Sequence, residues 1–355
     1  MVQIDGLRTI AVFLVMFGHW TSIWPAFEKL DRFTSFFGVN LFFVLSGFLI
    51  SAILIRTKSK TIESNSFILK QFYLRRFLRI FPLYYLVILV GVLLKIPAAK
   101  GDFFWLVTYL ANFKAILSDG RLGYYAHLWS LSVEEQFYIF FPIIFLLTPI
   151  KHLNKLSVSL IILGLLSRLL PYLYSSNTLS AHLNWFELGF TSCCLDSFGF
   201  GILLANMFVN NQTLLIRILN NNRLLFMIPL LLSAISFSFT DLNSFTSIVL
   251  FRFLASITCF WIIGKAAVDT FKGIVGSILM NKTMAFLGRI SYGLYVYHFF
   301  MPYVYSNYHR IYSTDIKSVI FTRLIFLVTT ILISIISFYL FENPINSLKK
   351  HFNYR

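Results

Sequence analysis

The sequence predicts an all-α, polytopic membrane protein, a bundle of about ten transmembrane helices with both termini cytoplasmic. Three observations carry this expectation. First, 58% of the 355 residues are hydrophobic and only 12% are charged, whereas soluble domains run near 25% charged. Second, apolar runs long enough to cross about 30 Å of hydrocarbon recur along the whole chain. Third, the basic residues between those runs are unevenly distributed, as the loops of a membrane protein are.

The runs fall at 6–26, 36–55, 79–95, 134–150, 156–173, 188–208, 224–240, 244–264, 284–304 and 317–341. The first contains Asp5 and Arg8 and lacks a small-residue cleavage site, so it reads as a retained span rather than a signal peptide. The second is apolar throughout, and the third opens at Arg79 behind a basic stretch. Residues 102–133 are apolar in pieces but too interrupted to cross twice, which predicts a hairpin lying in or dipping into the outer interface. The fourth run opens on Glu134 and Glu135, acidic residues suited to a helix N-terminus, with Ser132 as a cap. Cys193, Cys194 and Cys259 lie inside apolar runs without metal-ligand spacing and read as small core residues. The last span closes on Glu342-Asn-Pro344. No internal repeat is visible, so an inverted-repeat transporter has no support. The expected organisation is a single membrane domain over residues 1–355.

With the N-terminus inside, the inner segments and the rim residue Arg79 hold 17 Lys and Arg against 7 in the outer segments. The net charge of +16 is therefore accounted for by topology, and nucleic acid is not implied.

An ionisable residue inside a span is costly and marks a functional candidate. Arg8 and His19 are eleven residues apart on the first helix, about 20° apart in projection and about 16 Å along the axis. Singly, each could be a snorkelling arginine or a hydrogen-bonded core histidine; on one face, with the features below, they point to a site. Arg76 and Arg79 share a face at the cytoplasmic end of the third helix. Positive-inside anchoring accounts for such a pair, and arginines there also suit bidentate binding of phosphate. A further cluster runs from His127-Leu-Trp129 to Glu134, Glu135 and Tyr138; another runs from Ile290 to His298, placing Tyr295 and His298 on one side of a span. The tryptophan and tyrosines also suit an interfacial aromatic belt.

Taken in order, these pieces resemble the acyltransferase-3 family of integral membrane acyltransferases. The resemblance rests on Arg8-x10-His19, on Gly38-Val-Asn-Leu-Phe-Phe-Val-Leu-Ser-Gly-Phe-Leu-Ile50, and on Arg76-x-x-Arg79. Leu128-Trp-Ser-Leu through Glu135, Ser291-Tyr to His298 and Glu342-x-Pro344 extend it over nearly the whole chain. Asn40 stands where the family commonly has Asp, which removes a proton-accepting role there and leaves a hydrogen-bonding one. The resemblance implies transfer of an acyl group, usually acetyl, from acyl-CoA to a hydroxyl of a cell-surface carbohydrate. It implies a multi-pass protein of the bacterial cytoplasmic membrane with no metal cofactor. Some relatives carry an added extracytoplasmic esterase-like domain; with eleven residues after Pro344, this chain is expected to act through the membrane module alone.

The expected roles follow. Arg8, Arg76 and Arg79 bind the phosphates of CoA. The pantetheine arm spans the rise from Arg8 to His19, where a neutral imidazole takes the proton of the acceptor hydroxyl. Glu134 or Glu135 orients the imidazole or holds the sugar's other hydroxyls. Trp129 offers a face to the sugar ring, and Asn40, Tyr295 and His298 complete the substrate site. An acyl-histidine intermediate stays open. The alternative is a polytopic transporter or flippase of a polysaccharide or lipid-linked sugar, which needs neither the Arg8–His19 alignment nor a phosphate clamp.

Overall fold

In the computed structural model the described residues are 1–21, 28–60, 63–97, 99–118, 122–174, 189–239, 249–306 and 316–354; among them the regular structure is helical, without strands. The helices are α1 (Val2–Thr21), α2 (Glu28–Lys60), α3 (Asn65–Leu93), α4 (Phe103–Val107), α5 (Ala111–Leu117), α6 (Leu128–Leu147) and α7 (Leu153–Tyr174). They continue as α8 (Leu195–Asn210), α9 (Gln212–Asn221), α10 (Arg223–Phe239), α11 (Phe251–Ala267), α12 (Gly273–Met280), α13 (Lys282–Arg289), α14 (Ser291–Tyr297), α15 (Met301–Ser306), α16 (Ile316–Ser337) and α17 (Asn343–Ser347). Among the described residues, seven helices are long and apolar enough to cross a membrane. They correspond to six of the expected runs at one end of the chain and the last at the other. Of the remaining three, α10 and α11 are each 17 residues long. The run at 284–304 is divided: α13 ends at Arg289, α14 at Tyr297, and a tight turn over His298–Phe300 leads into α15. Of the segments expected outside, 27–35 and 95–133 are largely described, whereas 241–243 and most of 174–187 and 305–316 lie outside the described residues.

Helices α2, α3 and α6 begin at Glu28, Asn65 and Leu128, ahead of the expected 36, 79 and 134, and the start of α6 bears on the site. Helix α6 begins at Leu128, so Glu134 and Glu135 lie in its second turn and Ser132 is no cap; its hydroxyl donates to Leu128 O at 3.2 Å. The polar string Trp-Ser-Leu-Ser lowers the local hydropathy without interrupting the backbone ladder. A helix-dipole account of the two carboxylates therefore falls away. The predicted hairpin at 102–133 comprises α4, α5 and a short turn at Gly123–Tyr125. Tyr84 and Tyr85 of α3 hold it by donating to Leu106 O and Val107 O, both at 2.8 Å.

Large apolar side chains cover the outside, with Phe140 62% and Phe321 66% exposed, as expected of a lipid-facing surface and not of a soluble one. Inside, helices α2 and α8 cross at two glycines: a Cβ on Gly47 would stand 2.5 Å from Phe198 O, and one on Gly201 2.3 Å from Val44 O. Arg168 of α7 forms a two-armed ion pair with Asp196 of α8, at 2.6 and 3.0 Å, and donates to Cys193 O. Each charge is buried and would be costly alone; this pair escaped the sequence reading and is accounted for by packing. The three cysteines are buried and unbridged. This frame sets α1, α2, α3, α6 and α14 around a common interior space.

A candidate active site between the arginines and the histidines

That space is a cavity of about 200 Å3 lined by polar groups from all five helices. Arg8 of α1 and Arg76 and Arg79 of α3 stand at one end, Glu134 and Glu135 of α6 in the middle, and Ser130 and Tyr295 on its wall. Tyr138 donates to Glu134 Oε2 at 2.8 Å and Ser46 donates to Glu134 Oε1 at 3.2 Å. The Arg76 guanidinium lies 3.9 Å over the Tyr138 ring, a cation–π contact strengthened by exclusion of water. Glu135 is 5% exposed and its Oε2 has no hydrogen-bond partner. A buried acceptor left open in this way invites a donor from a ligand.

Towards the surface the cavity shares Ile50, Ile53, Arg76 and Arg79 with a wider mouth of about 370 Å3. Arg56, Arg75 and Lys349 add three cations there, and none of the residues described as lining it is acidic. The C-terminal segment forms part of this rim: Arg75 donates to Lys349 O, Phe352 O and Asn353 Oδ1 at 3.0–3.2 Å and faces the Tyr354 ring at 5.7 Å. Such a concentration of unneutralised cations is suited to a polyanion.

Behind Ser130 and Tyr295 lie three imidazoles. His19 Nδ1 lies 2.8 Å from His298 Nε2, the two rings nearly parallel at 6°. His298 Nδ1 lies 2.6 Å from Tyr295 O, its own turn's carbonyl, because the tight turn at His298–Phe300 folds the ring back over α14. A carbonyl only accepts, so His298 carries its proton on Nδ1. In the neutral form its Nε2 is then bare and accepts from His19 Nδ1–H, which leaves His19 Nε2 with an open lone pair. Trp20 donates to His298 O at 3.1 Å and fixes the same turn. His127 Nε2 lies 3.1 Å from Val296 O, and its ring centroid is 5.3 Å from that of His298. Ser130 and Tyr295 both donate to His127 O, at 3.1 and 3.0 Å, and their hydroxyls are 2.5 Å apart. These two side chains therefore separate the cavity from the imidazoles.

Glu342 reaches the same region. A π-helical turn over Phe338–Glu342 buries its carboxylate, which accepts from Ser337 at 3.0 Å. A Cβ on Gly293 of α14 would approach it to 3.2 Å. The closing motif thus packs against the Ser291–His298 motif.

The structure brings together Arg8, Arg76, Arg79, Glu134, Glu135 and Tyr295 around the cavity and pairs His19 with His298. It does not bring either glutamate into hydrogen bonding with His19, whose partner is His298. Asn40 sits between helices, donating to Arg252 O and Ser256 and accepting from Ser197 at 2.6 Å. Trp129 does not itself line the cavity but packs edge-on against Phe43, which does. The sequence placed His127, Ser46 and Tyr138 inside motifs without a role for any of them, and passed over Arg56, Arg75 and Lys349. Tyr138 was visible as the i,i+4 neighbour of Glu134. The others are joined to the site only by tertiary contacts. Among the described residues, no group of three or more His, Cys, Asp or Glu is placed to hold a metal ion.

Comparison with known proteins adds relatives. A protein of Staphylococcus aureus (strain MSSA476), provisionally named an O-acetyltransferase, is 29% identical over 97% of this chain and 57% of its own length. Peptidoglycan O-acetyltransferase OatA of Listeria monocytogenes (serovar 1/2a) is 37% identical over 46% of this chain and 28% of its own. The chain thus spans little more than half the length of the first of these. No solved structure matches it. The acyltransferase domain matches residues 1–340, and with nearly its whole length inside that match the chain belongs to the acyltransferase-3 family.

Proposed function

We propose that this chain is a membrane O-acyltransferase module that takes an acyl group, most simply acetyl, from cytoplasmic acyl-CoA. The acceptor is a hydroxyl of a cell-surface glycan or of its lipid-linked precursor. The carrying observation is a cation-lined mouth that leads into a narrow cavity, with the imidazole pair behind the Ser130 and Tyr295 side chains of its wall. Arginines at the mouth bind the nucleotide's phosphates bidentately. The pantetheine arm lies in the cavity, where the open Glu135 oxygen accepts an amide N–H. The thioester is then carried towards Ser130 and Tyr295.

His19 Nε2 takes the proton of the acceptor hydroxyl as its oxygen attacks the thioester carbon. The carbon–sulfur bond breaks, and the departing thiolate recovers that proton from the imidazolium. His298 holds the His19 tautomer and shares the transient charge. Glu134, engaged by Tyr138 and Ser46, acts as counter-charge to the arginines. Tyr295, Trp129 and Asn40 support the substrate site, the last two through helix packing.

The topology that suits this chemistry has ten spans and both termini cytoplasmic. The tail joins Arg75, Arg76 and Arg79 at the mouth, and Arg8 near the start of α1 lines the same end of the cavity. Both ends of the chain therefore lie towards one side. Helices α4 and α5 then rest along the outer interface, and the described helices act as one module in the bacterial cytoplasmic membrane.

Purified protein incubated with acetyl-labelled acetyl-CoA should release CoA and pass label to a glycan acceptor. Intact donor after prolonged incubation with membrane glycans would refute the reading.

A further inference from the structure

Outside the cavity, α1 and α16 enclose a second space of about 510 Å3, a groove at the end of α1 away from Arg8. Phe13, Phe17 and Trp20 form one wall, and Ile320 and Leu324 the other. Phe17 is 42% and Leu324 54% exposed, so the groove opens on the lipid-facing surface. A single charge interrupts it. Arg323 sits on α16 seven residues, about 10 Å, from Ile316. Its Nε is buried without a hydrogen-bond partner, and its guanidinium lies 5.2 Å from the Phe326 ring. No carboxylate pairs with it among the described residues. A cation in contact with hydrocarbon is expected to find an anion or to reach the headgroup layer. Here the side chain lines a groove whose other walls are almost wholly apolar, which suits an anion that carries a hydrocarbon tail.

We propose that the groove binds a phosphate-bearing lipid of the bilayer, one chain along Phe13, Phe17 and Leu324 and the phosphate on Arg323. Arginine suits that anion because its planar fork meets two phosphate oxygens at once. The site adjoins the imidazole pair through Trp20, which walls the groove and donates to His298 O. A bound chain therefore packs behind the residue that fixes the His298 turn.

The test is native mass spectrometry of the purified chain with phosphatidylglycerol and with diacylglycerol of the same acyl chains. The unaltered protein should retain one phosphatidylglycerol at collision energies that strip the remaining lipid, and should not retain diacylglycerol. Arg323→Gln should lower that retention at least fivefold, while Arg323→Lys, which keeps the charge and loses the fork, should hold an intermediate share. Unchanged retention in Arg323→Gln, or equal retention of diacylglycerol, would overturn the proposal and leave Arg323 a snorkelling residue. If Arg323→Gln fails to fold, the comparison of the two lipids on the unaltered chain decides the matter.

Discussion

Tyr295 O, a backbone carbonyl, sets which nitrogen of His19 is open, acting through the His298 ring. The consequence is a graded series of variants. His19→Ala should lower transfer by roughly two to four orders of magnitude, the usual worth of a positioned base. It should leave acetyl-CoA binding and membrane insertion near normal, and near-normal turnover in a folded variant would refute the role. His298→Ala should lower kcat about 10–100-fold with the KM for acetyl-CoA unchanged, because the base remains but its tautomer and orientation are no longer held. His298→Gln should recover part of the loss, since its amide oxygen can accept from His19 Nδ1–H. A His298→Gln protein no better than His298→Ala would show that His298 contributes something other than an acceptor. At the other end of the cavity, Arg76→Ala should raise the KM for acetyl-CoA. Arg76→Lys should rescue it in part, because charge survives and the two-armed geometry does not. Short thioesters lacking the nucleotide should be indifferent to both changes, and equal loss with such thioesters would assign Arg76 to packing on Tyr138.

Among the elements, α2 and α8 depend on contact between backbones. Gly201→Val would drive a Cβ to 2.3 Å of Val44 O and 2.6 Å of Phe48 N. Neither is a side-chain end that can turn away. Overpacking of this kind costs on the order of 1–3 kcal/mol or more. Gly201→Val should therefore lower the yield of folded protein and its thermal midpoint, whereas Phe140→Leu on the exposed face of α6 should leave both unchanged. Comparable stability of the two in a detergent melting assay would contradict the close crossing. The helices themselves were legible because lipid demands long apolar runs, and each of the ten runs lies largely on helix wherever it is described. Two things were not. The start of α6 was hidden because Ser130, Ser132 and the glutamates face protein and cavity, where polarity is tolerated. The division of 284–304 was hidden because the run stays apolar across the turn, and its one proline, Pro302, stands close enough to the end to read as the close of a single span. The residues of the site were legible where they shared one helix, as Arg8 and His19 do. His127 was visible in its motif but had no role, because its partner Val296 is 169 residues away, and the pairing of His19 with His298 spans 279. No periodicity carries contacts of that range.

For the whole molecule the informative feature is polarity from one end to the other. The basic mouth gathers Arg56, Arg75, Arg76, Arg79 and Lys349, and the segments expected inside hold most of the loop charge. A bulky polyanionic donor should therefore arrive from the cytoplasm, drawn by the field as well as by contacts. His19 lies about 16 Å further along α1 than Arg8, beyond Ser130 and Tyr295, so the acceptor should approach from the opposite face. If the proposed function holds, only the acyl group should pass from the donor side to the acceptor side, with neither CoA nor glycan needing to cross. Transfer from a thioester to a hydroxyl is favourable without a proton gradient, so an uncoupler should not stop it. In sealed vesicles of known orientation, labelled acetyl-CoA on the cytoplasmic side should acetylate a glycan confined to the other side. The same vesicles supplied with acetyl-CoA only on the outer side should stay unlabelled. Labelling that requires donor and acceptor on one side would exclude the relay across the bilayer, while leaving acyl transfer by the imidazole pair intact.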